Sequence, residues 1–409
     1  MTIIKYILHA LIVFTMAASF SQASAQNPSG ETLRIGVSGP FTGGSSPMGE
    51  SMRNGIRLAV AEINGIGGVH GKKIELIEKD DEAKPEIGAK IAEEFTLSKV
   101  VATIGIVNTG VGLASIDAYQ KAKIPLIVAV STGTSLTQKY APPAAPDNYI
   151  FRVSPTLDLE AKVLVADIKR KGMSKVALLA DSTAYGEAGL RAFLEQAKTA
   201  GVVVSGQERF NIGATDMSAQ VAQVKASGAE ALVIWGIGPE MAVIARNKEA
   251  ARWKVPLMGS WTFSMANFTE GAGRAGEGAL MPQTFIQDLG SISKNSFLLA
   301  YHRTFKIELI PSPMSAAQGY DSMHLLFLAL RQANSTDGEK IKNALENLKV
   351  RYQGVITSYN KPFSKNDHDA ITQNMILIGR VTSGRVDYAS AEDQKRGALI
   401  LVKQGKANK

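Results

Sequence analysis

Cysteine is absent from the 409-residue chain, and that absence removes several kinds of chemistry at once. No disulfide framework, thiolate metal site, cysteine nucleophile or lipidated cysteine behind a signal sequence is open to it. Histidine is nearly as scarce: His70, His302, His324 and His368 are the ones beyond residue 25. None is spaced for metal ligation, so all four are expected at the surface or in packing. Beyond the N-terminus no segment reaches about 18 apolar residues, the length a membrane-spanning helix needs, so the mature chain is expected to be soluble. No G-x-S-x-G elbow of a serine hydrolase occurs. A near P-loop, Gly65 to Lys73, has the wrong glycine spacing and a lysine where magnesium would need serine or threonine.

What the chain does contain is apolar material, 45% hydrophobic against 20% charged, enough for two ordinary globular domains. The formal charge of +8 would suit an anionic partner, but lysines and arginines alternate with acids almost throughout. The densest basic run, Lys169-Arg170-Lys171 with Lys175, falls at an expected helix end, where cations favour the dipole. It reads as a solvated surface and not as a nucleic-acid site.

The first 25 residues form a unit of their own. Lys5 supplies a positive start, Tyr6 to Ala18 an apolar run too short to span a bilayer comfortably, and Ala23-Ser24-Ala25 a small-x-small cleavage site before Gln26. Residues 1–25 are therefore expected to be a secretory signal peptide, with an uncleaved anchor as the alternative. Export without a lipidated cysteine points to a free periplasmic protein of a Gram-negative bacterium, or less readily to a secreted one.

From Leu33 the chain alternates short apolar strands with amphipathic helices. LRIGVS is a strand, Met48 to Asn64 a helix with Met52, Ile56, Leu58, Ala59 and Ile63 near one face, and the glycines from Gly65 to Gly71 close it. Strands at 73–78 and 101–105, helices at 85–97 and 113–122, and the strand LIVAV continue a rhythm of about 30 residues per unit, which argues a parallel sheet with right-handed crossovers. The Pro-rich break at 141–146 interrupts it. The rhythm then restarts: 149–153 extended, helices at 157–171 and 185–199, strands at 176–180, 202–208 and 231–235, and helices from Asp216 and Pro239. Past Gly276 the pattern changes to an extended 278–285 and three helices at 294–306, 315–332 and 338–348, which suggests that the chain returns to complete the first unit. The strand ends around Gly105 to Thr137 stop in small residues and hydroxyls, and such ends are where an open α/β sheet holds a small ligand.

The run GPFTGGSSPMGESMRNGIRLAVAEINGIGGVHGKKIELIEKDDEAKPEIG, with the later segments IPLI, DSTAYGE, GPEM, MGS and AAQGYDS, resembles the leucine/isoleucine/valine-binding proteins, type I periplasmic binding proteins of ABC transporters. The resemblance covers nearly the whole mature chain. It implies an α/β fold of two Rossmann-like lobes with parallel central sheets, joined by a three-crossover hinge. The implied division is residues 26–149 plus 283–353 in the first lobe and 150–282 plus 354–409 in the second.

Carried over residue by residue, the family's hydroxyl at the end of the third strand falls on Thr109, with Asn108 beside it. The small-small-Thr turn after the fourth strand falls on Val130, Ser131 and Thr132. In the family these groups hold the ligand's carboxylate, and a helix N-terminus with free N–H donors is an anion site on physical grounds as well. Tyr185 matches the family tyrosine that reaches over from the second lobe. Ile237 and Gly238 stand where another aromatic is usual, and Met48 occupies a first-lobe position that is often aromatic too. One departure stands out: Trp261, in Met258-Gly259-Ser260-Trp261, falls on the glutamate that neutralises the ligand ammonium. A buried ammonium without a carboxylate is costly, although an indole face recovers part of that. Either another acid, such as Asp321 or Asp216, serves instead, or the ligand lacks an α-ammonium and is an aromatic or aliphatic acid. Trp261 then acts as a stacking wall.

The resemblance implies a monomeric solute-binding protein that closes on its ligand by hinge motion and delivers it to an ABC permease in the inner membrane. It implies no enzymatic activity, metal, cofactor or nucleic acid. A ligand-sensing module for a signalling partner is the alternative. Asp80-Asp81 could suggest paired-carboxylate chemistry, but neighbouring strand residues point to opposite faces, and a structural role is expected.

Overall fold

The computed structural model describes residues 32–399, 402 and 403; the expected signal peptide, 1–25, lies outside the described residues. The first sheet grows from β1 (Leu33–Gly39), where Ile35 and Val37 are fully buried between helices, as both faces of a parallel strand must be. It is followed by α1 (Ser46–Gly65), β2 (Ile74–Asp80), α2 (Pro85–Leu97), β3 (Ala102–Gly105), α3 (Thr109–Ala122), β4 (Leu126–Val128), the single turn α4 (Ser135–Gln138) and β5 (Ile150–Arg152). The strand order is β2-β1-β3-β4-β5, with every pair parallel. Helix α1 stops where its sequence says it must: Gly67 takes a φ of +98°, and the Gly68 N–H returns to the Ile63 carbonyl at 2.9 Å.

The second lobe begins with α5 (Leu157–Arg170) and runs through β6 (Lys175–Asp181), α6 (Ala184–Ala200), β7 (Val203–Phe210), α7 (Ser218–Ala226), β8 (Ala231–Trp235), α8 (Glu240–Ala250), β9 (Leu257–Gly259), α9 (Ala266–Ala272) and β10 (Leu280–Gln283). The chain then crosses back. Helices α10 (Ile292–Phe305), α11 (Pro313–Ala333) and α12 (Gly338–Glu346) pack on the first lobe, as the change of pattern past Gly276 suggests. A small hairpin of β11 (Tyr352–Gln353) and β12 (Ser358–Tyr359) follows, and the chain crosses a third time into β13 (Leu377–Thr382), β14 (Arg385–Tyr388) and α13 (Ala391–Gly397). The second sheet is ordered β14-β13-β10-β9-β8-β6-β7. It is parallel except at one end, where β13 pairs antiparallel with β10 and with the edge strand β14. The architecture is thus two α/β lobes joined by three chain crossings. No described helix is long and apolar enough to cross a membrane.

Two of the expected lobe boundaries move. β5 pairs with β4, so the first lobe runs through Arg152 and does not end at residue 149. The segment from 354 to about Asp369 also belongs to the first lobe: the buried Asp321 of α11 fastens it. Its carboxylate accepts the Val355 N–H at 2.9 Å, the Ile356 N–H at 3.0 Å and the Tyr359 hydroxyl at 2.9 Å. Burial pushes the carboxyl of Asp321 up to about 6, against the pull of these donors.

Helices α1 and α11 lie against one another closely enough to need glycine on both sides. A Cβ at Gly55 would stand 2.1 Å from the Ala316 carbonyl oxygen, and one at Gly319 would stand 2.4 Å from that of Met52. The first crossing is organised by Arg152, which is fully buried. Its guanidinium donates to the Gly133 carbonyl and the Thr137 hydroxyl, both at 2.6 Å, and to the Asp369 carboxylate at 2.9 Å. One side chain therefore ties β5 to the loop after β4 and to the chain approaching the third crossing.

Asp80 and Asp81 are structural, as expected. Asp80 accepts the Phe41 N–H at 2.8 Å and the Thr42 hydroxyl at 2.7 Å, while the buried Asp81 accepts the Ser38 hydroxyl at 3.1 Å and the Ala83 N–H at 3.0 Å. His368 is a packing residue, stacked on Phe151 with ring centroids 3.9 Å apart.

Candidate functional site

In each lobe the strands end toward the other lobe, and the predicted residues sit at those ends. Thr109 opens α3, whose first N–H groups have no partner within the helix. Its hydroxyl meets that of Ser131 at 3.1 Å, and both are buried. The approach demands a glycine: a Cβ at Gly133 would lie 2.6 Å from the Thr109 methyl. Thr132 follows Ser131 with its hydroxyl buried and without a hydrogen-bond partner, while its carbonyl accepts the Leu157 N–H of α5 at 2.8 Å. Asn108 donates to the Ser45 hydroxyl at 3.2 Å, joining the start of α3 to the loop that leads into α1. Met48 lies in the first turn of α1 and is buried. It shares one contiguous apolar cluster with Val130, Tyr185, Ile237 and Trp261.

The second lobe presents its half through Asp181. This buried carboxylate, at the end of β6, accepts the Thr183 N–H at 2.9 Å, the Gly186 N–H at 3.2 Å and, through its other oxygen, the Ile237 N–H at 2.9 Å. Burial raises its pKa, and these donors offset part of the rise. The consequence is positional: the start of α6, which carries Tyr185, and the 236–238 turn are fixed to one group. Gly238 takes a φ of +86° in that turn, a conformation few other residues adopt.

The Tyr185 hydroxyl faces those of Ser260 and Thr262 but closes no hydrogen bond. Those two hydroxyls are engaged with each other at 2.7 Å, and Thr262 donates to the Gly236 carbonyl at 2.6 Å. Trp261 opens a short 3-10 turn, Trp261–Ser264, that follows β9. Its ring is buried and its indole N–H is unpaired. Its carbonyl accepts the Gln283 amide at 3.1 Å, so Trp261 is also tied to the end of β10. The lobes touch across the cleft: the Asn267 amide donates to the Gly44 carbonyl at 3.1 Å, and α3 packs on α6.

Neither acid proposed to stand in for the missing glutamate is free to do so. Asp321 is committed to the 355–359 segment, as described above. Asp216 is exposed and accepts the Ser218 N–H and hydroxyl, both at 3.0 Å, ahead of α7. The structure brings forward Glu160 instead, which the sequence reading passes over. It is fully buried near the start of α5, with both carboxyl oxygens unpaired. Burial drives its carboxyl well above the usual range, and the charge of Arg152 offsets this only partly. Its signal in the sequence is an acid on the apolar stripe of Leu157, Ala161, Leu164 and Ile168. Among the described residues no group of His, Asp and Glu is arranged to hold a metal ion.

Two hinged α/β lobes that face each other with hydroxyls, a helix N-terminus and buried aromatics define a solute-binding protein. The family model for periplasmic binding proteins matches residues 32–385, and the chain belongs to that family, as a type I member of the leucine/isoleucine/valine-binding kind. A leucine-, isoleucine-, valine-, threonine- and alanine-binding protein of Pseudomonas aeruginosa is 26% identical over 341 residues, 83% of this chain and 87% of that one. Among solved structures, a type 1 periplasmic binding protein of Bordetella pertussis superposes with a TM-score of 0.79 at 28% identity, covering 88% of this chain and all of its own. A branched-chain amino acid transporter substrate-binding protein of Streptococcus pneumoniae, solved in complex with isoleucine, gives a TM-score of 0.76 at 25% identity, covering 87% of this chain and 98% of its own.

Proposed function

We propose that the protein captures a small carboxylate-bearing ligand between its lobes and delivers it to the permease of an ABC importer. The observation that carries this reading is the cradle at the start of α3, where Thr109, Ser131 and the unpaired hydroxyl of Thr132 surround a helix N-terminus. Backbone N–H groups at such an end carry a partial positive charge and favour an anion. Asn108 and Val130 frame the cradle, and Met48, Tyr185, Ile237, Gly238 and Trp261 surround the remainder of the ligand with mostly apolar surface. The first lobe binds the carboxylate, and the second closes over the apolar end and excludes water. This is a population shift driven by contacts made only in the closed state. Neither a metal nor a cofactor takes part, and the binding unit is a monomer exported to the periplasm.

Replacing Thr132 with alanine removes one charge-assisted hydrogen bond and is expected to weaken binding by about 1 to 3 kcal/mol. The ligand is found first by a thermal-shift screen over amino acids, aromatic acids and short aliphatic acids, since a ligand that binds only the folded state raises the melting temperature. Calorimetry on parent and variant then decides. Equal affinity in the two would refute the cradle.

A further inference from the structure

The chain crosses between the lobes three times to build the fold, and its C-terminal tail then makes a further passage. Helix α13 belongs to the second lobe. Its Asp393 carboxylate accepts the Ile378 N–H of β13 at 3.1 Å, and its Arg396 guanidinium donates to the Asn374 and Ile376 carbonyls, both at 3.0 Å. Just past that helix, Ala398 and Leu399 line a cavity of about 50 Å³ together with Ile286 of the second crossing, Val355 of the first lobe and Leu377 of β13. The tail therefore leaves the second lobe over the hinge, and Val402 and Lys403 lie on the first. Val402 forms a parallel bridge with Ser358 of β12, and its carbonyl accepts the Asn374 amide at 3.3 Å. The Lys403 ammonium donates to the Pro362 carbonyl at 2.7 Å and to the Asp369 carbonyl at 2.6 Å, and it pairs with the Asp367 carboxylate at 3.0 Å.

Such anchorage is uncommon near a chain end. Terminal residues are poorly ordered unless something ties them down, and fixing them costs conformational entropy. Here an ammonium, its side chain largely buried, finds a partner for each of its three donors, one of them charged. The anchor is also the hub that Arg152 organises: Asp369 takes the guanidinium on its carboxylate and Lys403 on its carbonyl. We propose that the C-terminal tail is a strap, pinned by Lys403, that limits how far the two lobes open. Both of its ends are fixed in the arrangement where the lobes touch, so wide opening must stretch the strap or break its bonds. In that arrangement Asn267 reaches the Gly44 carbonyl, and the Ala266 N–H meets the Pro311 carbonyl at 2.8 Å. The strap thereby raises the resting population of closed lobes, and apparent affinity follows that population without any contact between tail and ligand. The proposal rests on the hinge motion above and not on the carboxylate cradle.

The absence of cysteine makes the test direct, because two introduced cysteines are then the sole labelling sites. Spin labels at Glu86→Cys and Ile212→Cys, exposed positions just past the cleft ends of β2 and β7, report the distance between the lobes by double electron–electron resonance on the ligand-free protein. Into this background go Lys403→Met, a chain ending at Leu401 and a chain ending at Lys403. Lys403→Met and the chain ending at Leu401 are expected to gain a longer-distance component, whereas the chain ending at Lys403 keeps the distribution of the parent. Asn267→Ala, which removes a bond across the cleft and leaves the tail intact, is the control for hinge mobility. Parent-like distances in Lys403→Met and in the chain ending at Leu401, with a longer component in Asn267→Ala, would overturn the strap and leave the hinge standing. Parent-like distances in all of them would overturn the strap together with the hinge motion it rests on. A longer component in the chain ending at Lys403 would overturn Lys403 as the pin. Melting temperature checks that each variant is folded. Should the shortened chains fail to fold, Lys403→Met in the full chain decides.

Discussion

Arg152→Met is expected to remove about 3 to 5 kcal/mol of folding stability at neutral pH, because it takes the fully buried guanidinium away from the half-buried carboxylate of Asp369. The Gly133 carbonyl and Thr137 hydroxyl lose their donor at the same time. Methionine fills much of the space, so the loss reports on polar pairing more than on a cavity. The effect has a pH signature. Burial alone would raise the pKa of Asp369, but the guanidinium of Arg152, helped by the Thr137 hydroxyl and the charge of Lys403, holds the carboxyl below the usual carboxylate range. A group whose folded pKa is depressed contributes stability above its unfolded value, near pH 4, and that contribution fades as pH falls through the folded value. The gap between parent and variant in urea melts should therefore be wide at pH 7 and narrow at acid pH. A gap independent of pH, or smaller than about 1 kcal/mol at pH 7, would contradict this account.

Gly55→Val should be at least as damaging, through sterics alone. In an exposed helix interior, replacing glycine by alanine gains about 1 kcal/mol of propensity. Here the new Cβ would meet a backbone carbonyl of α11 at 2.1 Å, and a backbone atom cannot rotate aside. The helices must separate, opening the contacts that bury Met52, Ile56, Ala59 and Ile63 of α1. A loss of about 4 kcal/mol or more is expected for valine, at the upper end of overpacking effects, with alanine intermediate in spite of its propensity. Urea denaturation of the two variants checks the order. Alanine more stable than the parent would show that the helices have room to yield.

Most of both sheets is legible in the sequence, because buried parallel strands and amphipathic helices carry distinct periods. Ala231–Trp235 is a continuous apolar run, Leu33–Gly39 places Leu33, Ile35 and Val37 at alternate positions, and α1 repeats its core residues at three- and four-residue spacing. What is lost is sheet membership. β5 is three residues long and stands at a crossing, and its composition serves either lobe equally well. The hairpin of β13 and β14 escapes the sequence reading, although a turn signal joins its strands: Ser383 and Gly384 take φ values of +50° and +74°, as hairpin turns require. The C-terminal hairpin lies beyond the βαβ rhythm, so the rhythm gives no cue to it. At the candidate site, the hydroxyl loops and Trp261 can be read by likeness, whereas the burial of Glu160 is marked only by its place on the apolar stripe of α5. An acid in the first turn of a helix is ordinarily a solvated partner of the dipole. Only the packing of α5 against α6 and the second sheet buries this one.

The grip of Asp181 on both the start of α6 and the Ile237 N–H has a further consequence for how this binding face can diversify. Its backbone is set by a carboxylate whose oxygens are taken up by the protein itself, so on the proposed reading Tyr185 and Ile237 would behave as interchangeable inserts in a fixed mount. Retargeting the protein is then a matter of exchanging those inserts while leaving the mount alone, and changes at Asp181 would blur every specificity at once.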